Sequence, residues 1–361
     1  MNNIQEQSVL ISGASFAGLS AAWWMLKQGY QVTVVEIASS LKKGGTPVDI
    51  KGTTVAIVKI MGIYDLIKAN CLPSKLMEFK NAEDVTEGFF QEMEDVNSPE
   101  EAYEIERDLL LEMLYDLVKD KVNFSFGNTV TALVERGDKM RATFKDGSQG
   151  SFDLVLGCDG IHSEVRDLWF GHEKEFVHFL QQYFSITIVN KLLINDRTAQ
   201  MYNEPDKAVM LNTYNNKTDI VLCFRADQEL DYDYRNEQQQ RDIIMQQFAG
   251  MGWRTSELLE EVRRSQTFYF DKLCQVKMPS WTRGRVALVG DAGYCASPAA
   301  GMGGSLAIIG AAALGEAFKK HDGNIGAAFE TYYRVLRPFV EEVQHMAVQT
   351  GLDILVPRTV E

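Results

Sequence analysis

Short, unbroken apolar runs alternate along the chain with longer stretches of helical spacing. "SVLIS" (Ser8 to Ser12) predicts a short buried strand, "GASFAG" a turn, and "LSAAWWMLKQG", ending at Gly29, a helix. "QVTVVE" (Gln31 to Glu36) predicts a second buried strand, and strand, glycine turn, helix, strand is a βαβ unit, which implies a parallel sheet covered by helices. Residues Glu104 to Lys119 carry a helical stripe of Leu109, Leu110, Met113, Leu114 and Leu117. Asp146-Gly147 marks a turn between the strands "MRATF" and "SFDLVLG". From about Phe176 to Ala226 the chain is rich in β-branched and aromatic residues, broken by "NEPDK" and "NNKT", the pattern of an antiparallel sheet. A helix near Asn236 to Gly250, a strand at Arg285 to Gly290, and helices over Gly304 to Lys320 and Ile325 to Thr350 complete the pattern. The fold expected is α/β. A discontinuous Rossmann-like domain (1–175 and 265–325) carries the parallel sheet, an antiparallel-sheet domain spans 176–264, and a C-terminal helix fills 326–361.

Composition narrows the function. A net charge of −14 with no Lys/Arg run argues against nucleic acid as a partner, because a polyanion would be repelled. Cys71, Cys158, Cys223, Cys274 and Cys295 are widely spaced and form no Cys-x-x-Cys pair, which fits a reducing compartment and no metal site. No two of the five histidines stand at i, i+4, so a zinc hydrolase is not expected. "MNNIQEQ" does not read as a signal peptide, and no apolar run approaches the roughly 18 residues of a membrane span. A cytoplasmic protein without membrane association is the expectation.

Two glycine clusters carry the candidate chemistry. Gly13-x-Ser15-x-x-Gly18, with Phe16 and Ala17 inside it, nearly fits the dinucleotide fingerprint. It lies between a strand and a helix whose N-terminus offers free N–H groups to a pyrophosphate. Glu36 ends the next strand, where a carboxylate would accept from ribose hydroxyls. A purely structural turn is the alternative. The second cluster, "GDAGYCASPAAGMGGSLA" from Gly290 to Ala307, holds five glycines and a single charge, Asp291. Its alternative is a glycine-rich helix entry with a capping aspartate.

The stretches "DLVLGCDGIHSEVR" (Asp153 to Arg166) and "GRVALVGDAGYCASPAAGMGGSLA" settle the cofactor class by resemblance. With the first turn, they resemble, in order and spacing, the single-component (class A) FAD-dependent monooxygenases typified by p-hydroxybenzoate hydroxylase. "KKGGTPVDIKG" with "MGIYDLI", and "FYFDKLCQVKMPSWTRGRVALVGDAGYCASP", are similar to the tetracycline-inactivating (tetracycline destructase) branch. The resemblance implies FAD, NAD(P)H and O2, and it implies a monomer. Asp291 would accept from the ribityl hydroxyls, and Pro298, Gly301, Met302, Gly303, Gly304 and Ser305 would lead a helix N-terminus to the flavin ring. Arg107 and Asp49 match flavin-contacting positions, with a plain surface salt bridge the alternative for Arg107, and Lys42 matches a basic position linked to NADPH. Asp159 and Arg166 belong to the Asp-Gly segment, where Asp159 could equally be a turn residue or cap. The family usually has Asn where Ser305 stands and often Asp at Gly310. The branch usually extends beyond "RPFVEEVQHMAVQ" with a helix that closes the substrate site, whereas this sequence runs on only to Glu361.

The implied reaction is oxygen transfer from a C4a-hydroperoxyflavin to an electron-rich carbon of an aromatic or enolic polycycle, with tetracyclines as first candidates. The cofactor carries the hard step, so the protein needs no catalytic triad of its own. Phe184, Phe224, Phe268 and Tyr294 are candidates to line an aromatic-binding cavity, with Met210 and His178 behind them. Each is also a plausible core residue, and Cys295 reads as packing. The alternatives are a flavin oxidase and a non-catalytic FAD-bound protein that sequesters a ligand or senses redox state. A flavin halogenase is not expected, since no Trp-x-Trp-x-Ile-Pro segment is present.

Overall fold

The structure is a computed structural model that describes residues 7–91 and 101–359, so residues 1–6, read above for a leader, lie outside it. The βαβ unit forms as the pattern predicts: strand Ser8–Ser12, helix Phe16–Lys27, strand Gln31–Glu36. Ser8–Ser12 sits inside a six-stranded sheet, flanked in parallel by Gln31–Glu36 and by Leu154–Gly157. Val286–Leu288 continues the sheet in parallel beyond Leu154–Gly157, and Asn123–Phe126 extends it beyond Gln31–Glu36. Val9, Leu10, Ile11, Leu154, Val155 and Leu156 are fully buried. Strands covered on both faces have no polar side to show, which is why they read as continuous apolar runs. The Gly303–Lys320 helix packs on Phe16–Lys27; Trp24 lies against Gly315, where an added Cβ would come within 2.8 Å of the indole.

A seven-stranded sheet forms the second layer, in the order Phe268–Val276, Val177–Val189, Lys217–Arg225, Lys207–Tyr214, Thr198–Glu204, Leu76–Lys80, Thr86–Gln91. Its outer strands lie outside the 176–264 span assigned from the sequence. Helices Glu237–Gln247 and Thr255–Arg264 cover one face, burying Tyr183, Phe224, Phe248 and Phe270. The opposite face, with Phe184, Met210, Val221 and Leu273, turns toward the glycine loop at Ala299 and the C-terminal segment at Leu352–Val356.

The C-terminal helix runs from Ile325 to Met346, continues as a π turn over Ala347–Gly351, and ends in a short turn of helix, Leu352–Leu355. That tail is held from two sides. Gln182 and Arg225 of the large sheet donate to the Leu352 carbonyl oxygen, and Arg225 also to that of Val356. On the other side Gly351 fits so closely that a Cβ would lie 2.1 Å from the Ala299 oxygen.

Candidate active site

The first glycine turn is built by close approach. Gly13 has φ +103°, and a Cβ on it would lie 2.3 Å from the Cys158 carbonyl oxygen; one on Gly18 would lie 1.9 Å from the Gly13 oxygen. Neither position admits a side chain. Glu36 braces the same turn, accepting from the Ala14 N–H at 2.8 Å and the Ala38 N–H at 2.9 Å. Ser15 stands at the N-cap of the helix, yet its side chain makes no capping bond and instead accepts from Arg107 Nη2 at 3.4 Å. The first amides of this helix are left without a side-chain acceptor, which is the condition for binding an anion.

The second glycine cluster folds directly onto the first. Gly290 takes φ +70° over Ala17, and Gly304 faces Phe16, whose ring edge lies 3.2 Å from where a Cβ would be. Ser297 takes φ +84°, a conformation unusual outside glycine, and its side chain accepts from the Ala299 N–H as the Pro298–Ala300 turn opens. Gly301, also at positive φ, and Met302 then lead into the helix at Gly303, again with no side-chain cap. Ser305 does not cap it either; its hydroxyl donates to the Asp49 backbone oxygen at 3.1 Å, joining this helix to strand Val48–Lys51. Two uncapped helix N-termini therefore meet at Phe16, Gly304 and Arg107.

Arg107 lies over the Phe16 ring at 5.2 Å and donates to the Gly44 carbonyl oxygen at 2.8 Å, with Gly45 close against its side chain. Burial pushes its pKa down, and the charges of Asp108 and Asp291 oppose that. Burial likewise pushes the Asp291 carboxyl up, opposed by Cys295 and by the Arg107 charge. Lys42 and Asp49 are exposed, with Lys42 Nζ 5.6 Å from the Tyr269 ring centre and Asp49 3.4 Å from Lys51.

Asp159 is turned inward. It accepts from Ser12 Oγ and the Val165 N–H, both at 3.1 Å, and from the Ser163 hydroxyl. Burial raises its pKa and these bonds oppose the rise. Arg166, wholly buried, donates to the carbonyl oxygens of Ala292 at 3.0 Å and Ile161 at 2.5 Å. In this structure the Asp-Gly segment is a brace that fixes the Asp291 turn to the parallel sheet.

The aromatic candidates separate by strand parity. Phe184 and Met210 lie on the face turned toward the glycine loop, whereas Phe224 and Phe268 belong to the helix-covered core on the opposite face, with Phe268 under the Arg241 guanidinium at 4.4 Å. Successive side chains on a strand point to opposite faces, so Phe268 and Phe184 cannot line one cavity. The residue beside Phe268, Tyr269, takes that place. Its ring contacts Phe184 at 5.6 Å and retains 37% of its accessible surface. Tyr294 is 1% exposed, its hydroxyl 3.1 Å from that of Tyr332 and packed onto Gly310, where a Cβ would lie 1.8 Å from it. It fills the space at Gly310, away from the sheet face of Phe184 and Met210. His178 is an exposed residue of strand Val177–Val189.

Behind Tyr269 lies a charged chain that sequence reasoning missed. The Tyr269 hydroxyl donates to Asp271 Oδ2 at 2.9 Å, and His162 Nε2 stands 3.4 Å from the same oxygen. His162 Nδ1 lies 3.0 Å from Glu173, and the ring stacks on Tyr234 at 4.3 Å. Burial would depress this imidazole, but Asp271 and Glu173 outweigh it and raise its pKa to about 9. The available signal was Tyr-x-Asp at 269–271, two polar residues on one side of the strand.

An FAD binding domain model matches residues 6–345, and the chain belongs to that family. It is a flavin-dependent monooxygenase. The flavin-dependent monooxygenase of Legionella longbeachae serogroup 1 (strain NSW150) is 34% identical over 361 residues, covering 96% of this chain and 90% of the relative. Among solved structures, tetracycline destructase Tet(51) superposes with a TM-score of 0.88 at 34% identity, covering 98% of this chain and 92% of that one. Tetracycline destructase Tet(55) gives 0.87 at 32% identity, covering 99% and 92%. The residues present fit FAD: two uncapped helix N-termini meet where glycines leave no Cβ, with a partly buried arginine between them. Among the described residues no helix is long and apolar enough to cross a membrane, and all five cysteines are free.

Proposed function

We propose that the protein uses NAD(P)H and O2 to hydroxylate an aromatic or enolic polycyclic substrate, with tetracyclines the first candidates, and that it works as a cytoplasmic monomer. The observation that carries this reading is the placing of an apolar and aromatic sheet face, Phe184, Met210 and Tyr269, directly across from the Pro298–Gly304 loop. Bound FAD supplies the redox chemistry and the activation of oxygen. The Gly13–Gly18 turn and helix Phe16–Lys27 would hold its pyrophosphate, Glu36 its ribose, Asp291 its ribityl chain. The Gly301–Gly304 amides would face its ring, where a helix N-terminus favours negative charge. Lys42, exposed beside Tyr269, would meet the nicotinamide nucleotide. Leu352, Leu355 and Val356, packed on the same sheet face, keep water from one end of the cavity.

The likeness to Tet(51) and Tet(55) supports tetracycline as the first substrate to try. The test is incubation with NADPH and tetracycline in air and under nitrogen, with products examined by mass spectrometry. A product heavier by one oxygen atom, formed only in air, is the expected result. Unchanged drug, with NADPH oxidised no faster than without it, would reject tetracycline and send the search to a wider panel of phenols.

A further inference from the structure

The donor and acceptor pattern around Tyr269 fixes which way its hydroxyl points. Asp271 is 5% exposed, and donors surround it. Oδ2 receives the Tyr269 hydroxyl and faces His162, while Oδ1 accepts from the Lys272 N–H at 2.8 Å and from the Tyr232 hydroxyl at 3.5 Å. An ionised carboxylate has no proton to give, so Tyr269 must donate to it. His162 stands against that carboxylate at 3.4 Å and is itself held by Glu173, which Arg166 approaches at 3.5 Å. His162 Nε2 has no hydrogen-bond partner among the described residues, so its interaction with Asp271 is that of an ion pair. A carboxylate held against its hydroxyl disfavours a second negative charge there, so Tyr269 stays a phenol. The one hydroxyl proton is committed to Asp271, and the lone pairs of the oxygen accept from no group among the described residues, on a side chain that keeps 37% of its surface exposed.

We propose that Tyr269 determines specificity in this site by accepting a hydrogen bond from a hydroxyl group of the substrate, with Asp271 and His162 as the positioning residues that keep it an acceptor. This rests on the cavity read above as the substrate site. A hydroxyl-bearing ring is then preferred over the same ring carrying an ether, because an ether oxygen brings no proton to an acceptor. Removing one such bond lowers affinity by about 2- to 10-fold.

The probes are 1-naphthol and 1-methoxynaphthalene, titrated separately into the FAD-loaded protein and followed by the change in flavin absorbance. The wild type is expected to bind the naphthol about 2- to 10-fold more tightly. Tyr269→Phe should weaken the naphthol to the level of the ether and leave the ether unchanged. Asp271→Asn turns an amide donor toward the tyrosine oxygen, frees the hydroxyl proton for the cavity, and should shrink or reverse the preference. A merely structural role would shift both probes together. Equal binding of the two probes by the wild type, binding of neither, or a preference that survives both substitutions would each overturn the proposal. If Tyr269→Phe does not load FAD, Asp271→Asn decides alone. Loss of the monooxygenase reading would appear separately, as NAD(P)H oxidation without oxygen incorporation across the substrate panel.

Discussion

Gly310→Ala tests whether Tyr294 is the packing wedge the geometry describes. The added methyl would lie 1.8 Å from Tyr294 Oη, 3.0 Å from its Cζ and 3.5 Å from Leu336 Cδ2. Tyr294 has little room to retreat: its ring packs on Trp281 at 4.6 Å, and its hydroxyl meets Tyr332, which donates to the Leu288 carbonyl oxygen at 2.9 Å. Overpacking of this kind costs about 1–3 kcal/mol. Replacing a helix-interior glycine by alanine returns roughly 0.8–1 kcal/mol. An overlap as close as 1.8 Å belongs to the upper part of that range, about 2–3 kcal/mol, so a net loss of about 1–2 kcal/mol is expected. Tyr294→Phe alone forfeits a buried hydrogen bond, about 0.5–1.5 kcal/mol. In the double variant the worst contact disappears with the oxygen, so the two losses should overlap by about 1 kcal/mol. Urea denaturation of the four proteins, followed by tryptophan fluorescence, gives the cycle directly. Losses that add to within roughly 0.5 kcal/mol, or a Gly310→Ala variant as stable as wild type, would refute the wedge.

Asp291→Ala should weaken FAD by roughly 10- to 150-fold, the effect of removing a charged acceptor, with a smaller effect on the apoprotein's stability; fluorescence titration of the apoprotein with FAD checks it. Asp219 is wholly buried against the Tyr214 hydroxyl, and burial raises its pKa to about 7, opposed by the Tyr214 bond and by Lys75 and Lys217. Between about 3.8 and 7 the folded state holds a proton that the unfolded chain has lost, so this group makes stability fall as pH rises through that window. Asp219→Asn should therefore gain stability relative to wild type at pH 8 and much less at pH 4, read from urea midpoints at both; an equal shift at both would contradict the assignment. Gly351→Ala should push the π turn off the Ala299 carbonyl and speed FAD release, measured by stopped-flow dilution into an excess of a flavin trap.

The Rossmann-like half was legible because its strands are short, apolar on both sides and separated by glycines that no other residue can replace. Helix Gly303–Lys320 begins within a residue of its expected start for the same reason. The large sheet was harder to bound. Its outer strands Leu76–Lys80 and Thr86–Gln91 come from a stretch of chain distant in sequence, and only tertiary pairing of Leu76 with Thr198 brings them there. In "TFYFDKLC" aromatic residues stand on both sides of the strand, so hydrophobicity alone could not say which one faces the cavity. Parity could: Asp271 requires a buried polar partner, and Tyr269, two residues away, is the one on its side. Gly310 was legible only as a departure from a family pattern, since nothing in its neighbours announces that Tyr294, 16 residues earlier, fills its space.

The meeting of Gly304 with Phe16 also bears on how the protein matures. The two halves of the cofactor cradle are encoded roughly 290 residues apart. At about 5–20 residues per second, a ribosome needs roughly 15–60 s to pass from one to the other. Throughout that interval the nascent chain owns a parallel sheet lacking its Val286–Leu288 strand and a Phe16–Lys27 helix lacking the Gly303–Lys320 helix that covers it. FAD is thus a late arrival, captured near the end of synthesis. Cells short of riboflavin should then accumulate full-length but protease-sensitive chains, and returning the vitamin should rescue those chains without new translation.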